Sequence, residues 1–106
     1  MDDLLKRLIQ FRDQRDWKQF HTPENLAKSI SIEAAELLEC FQWNTDYDIQ
    51  DVKSEIADVF IYLLFLSEEL KIDINEVVLD KLKLCEKKYP VSRSKGNATK
   101  YTKFEN

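Results

Sequence analysis

Apolar residues recur along this chain at intervals of three and four in four blocks, the spacing of helices that bury one face. The first block runs from Asp2 to about Arg15, with Leu4, Leu5, Leu8, Ile9 and Phe11 on one stripe. The period breaks before Thr22, a good N-cap, and Pro23 suits a first helical position. A second helix is therefore predicted from Pro23 to about Trp43, with Leu26, Ile30, Ala34, Leu37 and Phe41 facing inward. Asn44, Thr45 and Asp46 form a turn-prone loop. A third helix opens near Asp48 and ends around Leu70, its stripe being Val52, Ile56, Val59, Phe60 and Leu63. Asp73 is the expected N-cap of a fourth helix bearing Val77, Val78, Leu82, Cys85 and Tyr89, and Pro90 stops it. The segment after Pro90 is polar, holds the single glycine and shows no period, so it reads as a tail that orders on a ligand or partner.

Composition agrees with this pattern. The 106 residues suffice for one domain, and one Gly and two Pro are too little punctuation for strands and hairpins. The expectation is an all-α protein: a domain of four helices over 1–90 and a tail over 91–106. Ile61 and Phe65 project away from the stripe of the third helix, leaving it apolar nearly all round, so a second subunit is expected to cover them. The longest apolar run, Val59 to Leu66, falls far short of the ~20 residues a membrane span needs. Cys40 and Cys85 lie within helices and the start is polar, which fits a reducing cytoplasm without disulfides or a membrane partner. Net charge is -4, yet Lys87 to Phe104 holds five Lys, one Arg and no acid; setting those six positive charges aside leaves -10 on the rest. An acidic body with a basic tail speaks against a nucleic-acid polymer as partner.

Chemistry concentrates in the second and third helices. Glu33 and Glu36 stand three residues apart on one, Glu55 and Asp58 three apart on the other, so each pair points one way from the edge of an apolar stripe. Acids at this spacing are ordinarily a solvated face. Two pairs facing one space repel each other and lose hydration, which calls for a compensating cation. The donors are carboxylates without His or Cys, so Mg²⁺ is favoured over softer metals. The Glu-x-x-His motifs of a di-iron bundle are missing. Glu39 extends the same row away from the core and reads as solvated, or as a further acid behind the cluster.

The segments RDWKQFH, LAKSISIEAAELLECFQW, SEIADVFIYLLFL and KYPVSRSKGNATKYTKF together resemble the MazG-like all-α nucleotide pyrophosphohydrolases, in particular their dCTP pyrophosphatase branch. The ExxE then ExxD signature of that family matches Glu33, Glu36, Glu55 and Asp58. The resemblance implies a four-helix bundle of the all-α NTP pyrophosphatase type, a homodimer or homotetramer, that binds Mg²⁺ and splits nucleoside triphosphates into monophosphate and pyrophosphate. Many members place paired acids at the start of the motif. Here Ile32 precedes Glu33, so the extra acid has no counterpart.

Such a reaction needs no covalent nucleophile, because positioning and charge neutralisation carry most of phosphoryl chemistry. One carboxylate, here assigned as Glu36, would orient or deprotonate the attacking water. Trp17, Phe20, His21 and Trp43 offer aromatic faces for stacking on a nucleobase, although each alone could equally fill the rim of a core or, for His21, cap the second helix. Arg93, Lys95, Lys100 and Tyr101 are the expected triphosphate clamp. Two functions stand: a Mg²⁺-dependent pyrophosphohydrolase of the nucleotide pool, acting on dCTP or modified nucleotides, and a non-catalytic helical module that binds nucleotide or metal for regulation. Retention of all four acids favours the enzyme.

Overall fold

The computed structural model describes residues 2–43 and 46–104, and all their regular structure is helical. Asn44 and Thr45 of the expected loop lie outside the described residues, as do the last two residues of the tail. The α-helices are α1 (Asp2–Gln14), α2 (Pro23–Glu39), α3 (Ile49–Glu69), α4 (Ile74–Lys88) and a single turn, α5 (Val91–Ser94). Short 3₁₀ turns occupy Lys18–Phe20 and Tyr101–Lys103. The described residues thus hold five helices where four were expected, the fifth falling in the tail.

Caps set the boundaries. Thr22 Oγ1 accepts from the Asn25 N–H at 3.1 Å, Asp48 Oδ1 from Gln50 at 2.8 Å, and Asp73 Oδ1 from Glu76 at 3.2 Å. Each satisfies an amide that the first helical turn leaves without a partner. α2 stops at Glu39, short of the expected Trp43, because the amides of Cys40, Phe41 and Gln42 bond three residues back rather than four, to Leu37, Leu38 and Glu39. This tightening consumes the last carbonyls and ends the α-helix. α1 and α3 both close on a residue in the left-handed region. Asp16 has φ 54° and Lys71 φ 57°, and in α3 the Ile72 N–H returns to the Ser67 carbonyl at 2.8 Å.

The chain divides into compact units over 1–72 and 73–106. In the first, α2 and α3 form a hairpin, with α1 laid against α3. The pairing is antiparallel: His21, just ahead of α2, meets Phe65 late in α3, while Glu33 and Glu36 meet Glu55 and Asp58. Its core comprises Leu26, Val52, Leu64 and Phe65.

The inner face of α3 differs from the expected one. Phe65, assigned to a second subunit, is only 4% exposed and packs against His21 within its own chain, with ring centroids 4.7 Å apart. Ile61 is half-buried and turned toward α1. Ile56 and Phe60, assigned to the core, are 52% and 39% exposed. The cause is α1, which competes for the Ile61 side of α3 and rotates the buried stripe toward residues 61, 64 and 65. Since α3 is apolar nearly all round, its periodicity alone could not choose between the two faces.

In the second unit the tail turns back onto the end of α4. Tyr89 meets the rings of Tyr101 and Phe104 edge-on, each at 5.8 Å, and Lys88 Nζ lies 4.9 Å from the Tyr101 ring centre. Between them Gly96 takes φ 82° and Asn97 holds the loop, donating to the Arg93 carbonyl and accepting from the Thr99 amide. The tail thus holds defined turns packed on α4, although its sequence lacks a period. No described helix is long and apolar enough to cross a membrane. Cys40 and Cys85 are both free thiols.

Candidate metal centre

The α2–α3 hairpin converts two sequence spacings into one cluster. Glu33 and Glu36 leave α2 on the side facing α3, and Glu55 and Asp58 leave α3 toward α2. One carboxylate oxygen from each lies within 4.8 Å of those from the other three. Glu33, Glu55 and Asp58 are half-buried, and Glu36 is exposed at the mouth. Among the described residues the ion pairs are Arg12–Asp13, Glu24–Lys28 and Glu68–Lys71, so no protein cation neutralises the four acids.

Their electrostatics follow from this crowding. Glu33 is pushed up from 4.5 to about 7, first by a hydrogen bond shared with Glu36, then by burial, then by the charges of Glu36, Asp58 and Glu55. Glu55 is also raised, chiefly by burial and then by Glu36 and Asp58, with Asp51 one turn earlier on the same row adding to it. Glu33 Oε2 and Glu55 Oε2 are buried acceptors without a donor. Buried acceptors are normally paired, and leaving one unmade is costly. Hard oxygen donors, close convergence and orphaned lone pairs fit a divalent cation of the Mg²⁺ type.

The remaining candidates are dispersed. Trp17 packs edge-on against Phe11 at 5.5 Å, with the Arg15 guanidinium 3.9 Å from the Phe11 ring centre, so part of its ring is already used. Phe20 is exposed in the 3₁₀ turn, and its carbonyl accepts from the Asn25 side chain. His21 does not cap α2, a role that belongs to Thr22. Half-buried against Phe65, it has its pKa lowered by burial and by Arg12, an effect that Glu69 partly opposes, and its Nδ1 has no partner. Trp43, four residues beyond the end of α2, is 83% exposed, and Glu39 is exposed. Arg93, Lys95, Lys100 and Tyr101 sit on exposed turns of the second unit.

Sequence reasoning missed two features. Arg12 is 4% exposed, with Nε donating to Asp13 Oδ1 at 2.8 Å. A charged residue three positions after the apolar Ile9 gave only a faint signal. The other feature is a cavity of about 340 Å³ lined by Leu4, Arg7, Leu8, Phe11 and Ile61. The α1 stripe named three of those residues, but as core.

Residues 28–104 match the model of the MazG-like family. The chain is 34% identical over 112 residues to dCTP pyrophosphatase 1 of Bos taurus, an alignment covering 96% of this chain and 66% of that protein. Against the Homo sapiens protein of the same name it is 32% identical over 114 residues, covering 98% of this chain and 67% of the relative. The chain thus spans about two thirds of the length of these relatives. A crystal structure of a pyrophosphatase from Archaeoglobus fulgidus superposes with a TM-score of 0.77 at 49% identity, over 85% of this chain and 92% of that one.

Proposed function

The chain belongs to the MazG-like family, and on that premise we propose that it is a divalent-metal-dependent nucleoside triphosphate pyrophosphohydrolase. It converts a (deoxy)nucleoside triphosphate and water into the monophosphate and pyrophosphate, clearing dCTP or modified nucleotides from the cytoplasmic pool. The observation that carries this reading is the cluster of four carboxylates with two orphaned buried oxygens. Relatives named as pyrophosphatases support it.

Glu33, Glu55 and Asp58, the half-buried members, would hold Mg²⁺, with Glu36 closing the set. When bound, the cation would supply charge neutralisation to the phosphate oxygens and the leaving pyrophosphate. Glu36, exposed at the mouth, orients a water toward the α-phosphorus and takes its proton. Arg93, Lys95, Lys100 and Tyr101 contribute donors to the triphosphate, where charge-assisted bonds count most as the leaving group gains charge. Trp17, Phe20, His21 and Trp43 border the base. The protein works as a homo-oligomer, a dimer or a pair of dimers that completes a four-helix bundle, and the exposed Ile49, Ile56 and Phe60 along α3 support this.

Pyrophosphate release from a panel of nucleoside triphosphates, with Mg²⁺ and with chelator, tests the proposal. Metal-dependent release that Glu36→Gln and Asp58→Asn both abolish is expected. Absence of release from every triphosphate, or wild-type activity in both variants, would refute it.

A further inference from the structure

Among the described residues Arg12 is the charged side chain that the fold buries, at 4% exposure, while Asp13, the acceptor of its Nε, keeps 53% of its side chain in water. The ion pair thus leaves the cation inside and its anion outside. Replacing a buried charge by an apolar side chain of similar volume is often neutral or stabilising. Stability does not account for Arg12, and its surroundings do. The Arg12 carbonyl accepts from the Arg15 and Trp17 amides at 3.2 and 3.1 Å, and Asp16 takes φ 54°, so the chain doubles back over Arg12 into the 3₁₀ turn. His21 ends this connector, with its N–H on the Lys18 carbonyl at 3.0 Å and its ring on Phe65. The ring's Nδ1 is buried without a partner, so packing and charge set its seat. The charged groups that bear on it are Arg12 from α1 and the half-buried Glu69 from the end of α3. On the connector Asp16 is engaged by Gln19, and on α2 Glu24 by Lys28.

We propose that Arg12 is a positioning residue: its buried guanidinium keeps His21 seated on Phe65 and thereby holds the connector, with Trp17 and Phe20 on it, in one place. The inference rests on the pyrophosphohydrolase reading, in which the connector borders the substrate. A guanidinium stays charged at every working pH and offers donors only. A second cation buried beside it would be repelled, so the imidazole remains neutral, the form that packs on an apolar face. Burial and then Arg12 lower the His21 pKa from 6.5, against the opposing effect of Glu69. Once protonated, His21 would leave Phe65 for water and draw the connector with it.

The chain has one histidine, so imidazole resonances report on His21 alone. NMR titration compares the wild type with Arg12→Met, which keeps the stem and removes the charge, and with Arg12→Lys, which keeps the charge. Thermal unfolding and kinetics with a nucleoside triphosphate and Mg²⁺ accompany it at pH 6 and pH 8. His21 should titrate below 6.5 in the wild type, move up in Arg12→Met and return in Arg12→Lys. Arg12→Met should raise KM several-fold at pH 6 and much less at pH 8, with kcat unchanged and Tm unchanged or higher. A His21 titration that Arg12→Met leaves in place would overturn the proposal. So would a lower Tm with unchanged KM, which would make Arg12 a piece of the core, or a fall in kcat alone, which would put it in the chemistry. If the wild type hydrolyses no triphosphate, the pyrophosphohydrolase reading falls by itself, and the titration, with the contacts of the His21 ring to Phe65, still decides whether Arg12 seats it.

Discussion

Mg²⁺ binding should expel a countable number of protons. A carboxylate must be deprotonated to hold a cation, so a ligand with a raised pKa releases its proton when the metal arrives. With its pKa at about 7, Glu33 carries about 0.9 proton at pH 6, about 0.5 at pH 7 and about 0.1 at pH 8. Glu55, shifted in the same direction, adds to the release at the acid end. Calorimetric titration of Mg²⁺ in two buffers of unlike ionisation enthalpy counts these protons, and affinity should rise with pH over the same window. Glu33→Gln should remove most of the release. The stability of the metal-free protein has a matching sign. A raised folded-state pKa means that the native state holds the proton more tightly than the unfolded chain, a contribution present below about 4.5 and lost as pH rises through about 7. The metal-free Tm should therefore fall across that window, and both Glu33→Gln and saturating Mg²⁺ should flatten the fall. Release near zero at pH 6, or a Tm that climbs toward pH 7, would refute the crowding argument.

Phe65→Ala empties a site only 4% exposed and should cost about 3–5 kcal/mol in chemical denaturation. Phe60→Lys, on the exposed side of α3, should leave the fold intact and reduce self-association in sedimentation. Lys71→Gly relieves a left-handed φ of 57° at the end of α3 and should stabilise by about 1 kcal/mol in the same denaturation assay. Arg93→Ala or Lys95→Ala should cost about 1.5–3 kcal/mol in kcat/KM if each side chain makes a charge-assisted bond to phosphate, whereas unchanged kinetics would remove the tail from catalysis. These point variants test the clamp more cleanly than deletion beyond Pro90, which also strips Tyr89 of Tyr101 and Phe104.

Local signals in the sequence carried the helix starts. Thr22–Pro23, Asp48 and Asp73 each cap the helix they were expected to open, because an N-cap depends on one side chain and amides two or three residues away. Helix ends were harder. The close of α2 at Glu39 and the left-handed Asp16 and Lys71 carry no glycine to mark them. The buried side of α3 was not legible at all, since both faces are apolar and only the position of α1 selects between them. The tail illustrates a related limit. Tyr89, Tyr101 and Phe104 are too far apart in sequence to form a period, yet they pack edge-on and order the residues between them.

The four acids were legible for a different reason. Spacing of i, i+3 fixes which way two carboxylates point from one helix, and a short loop between two helices forces them to pack side by side. Once both pairs border the same seam, their meeting is a matter of register, and Glu33, Glu36, Glu55 and Asp58 do converge within 4.8 Å. The cavity between α1 and α3 obeys no such rule. Its wall comes from α1, whose apolar stripe is the same whether it fills a core or borders a void, and the one residue that breaks the pattern is Arg7.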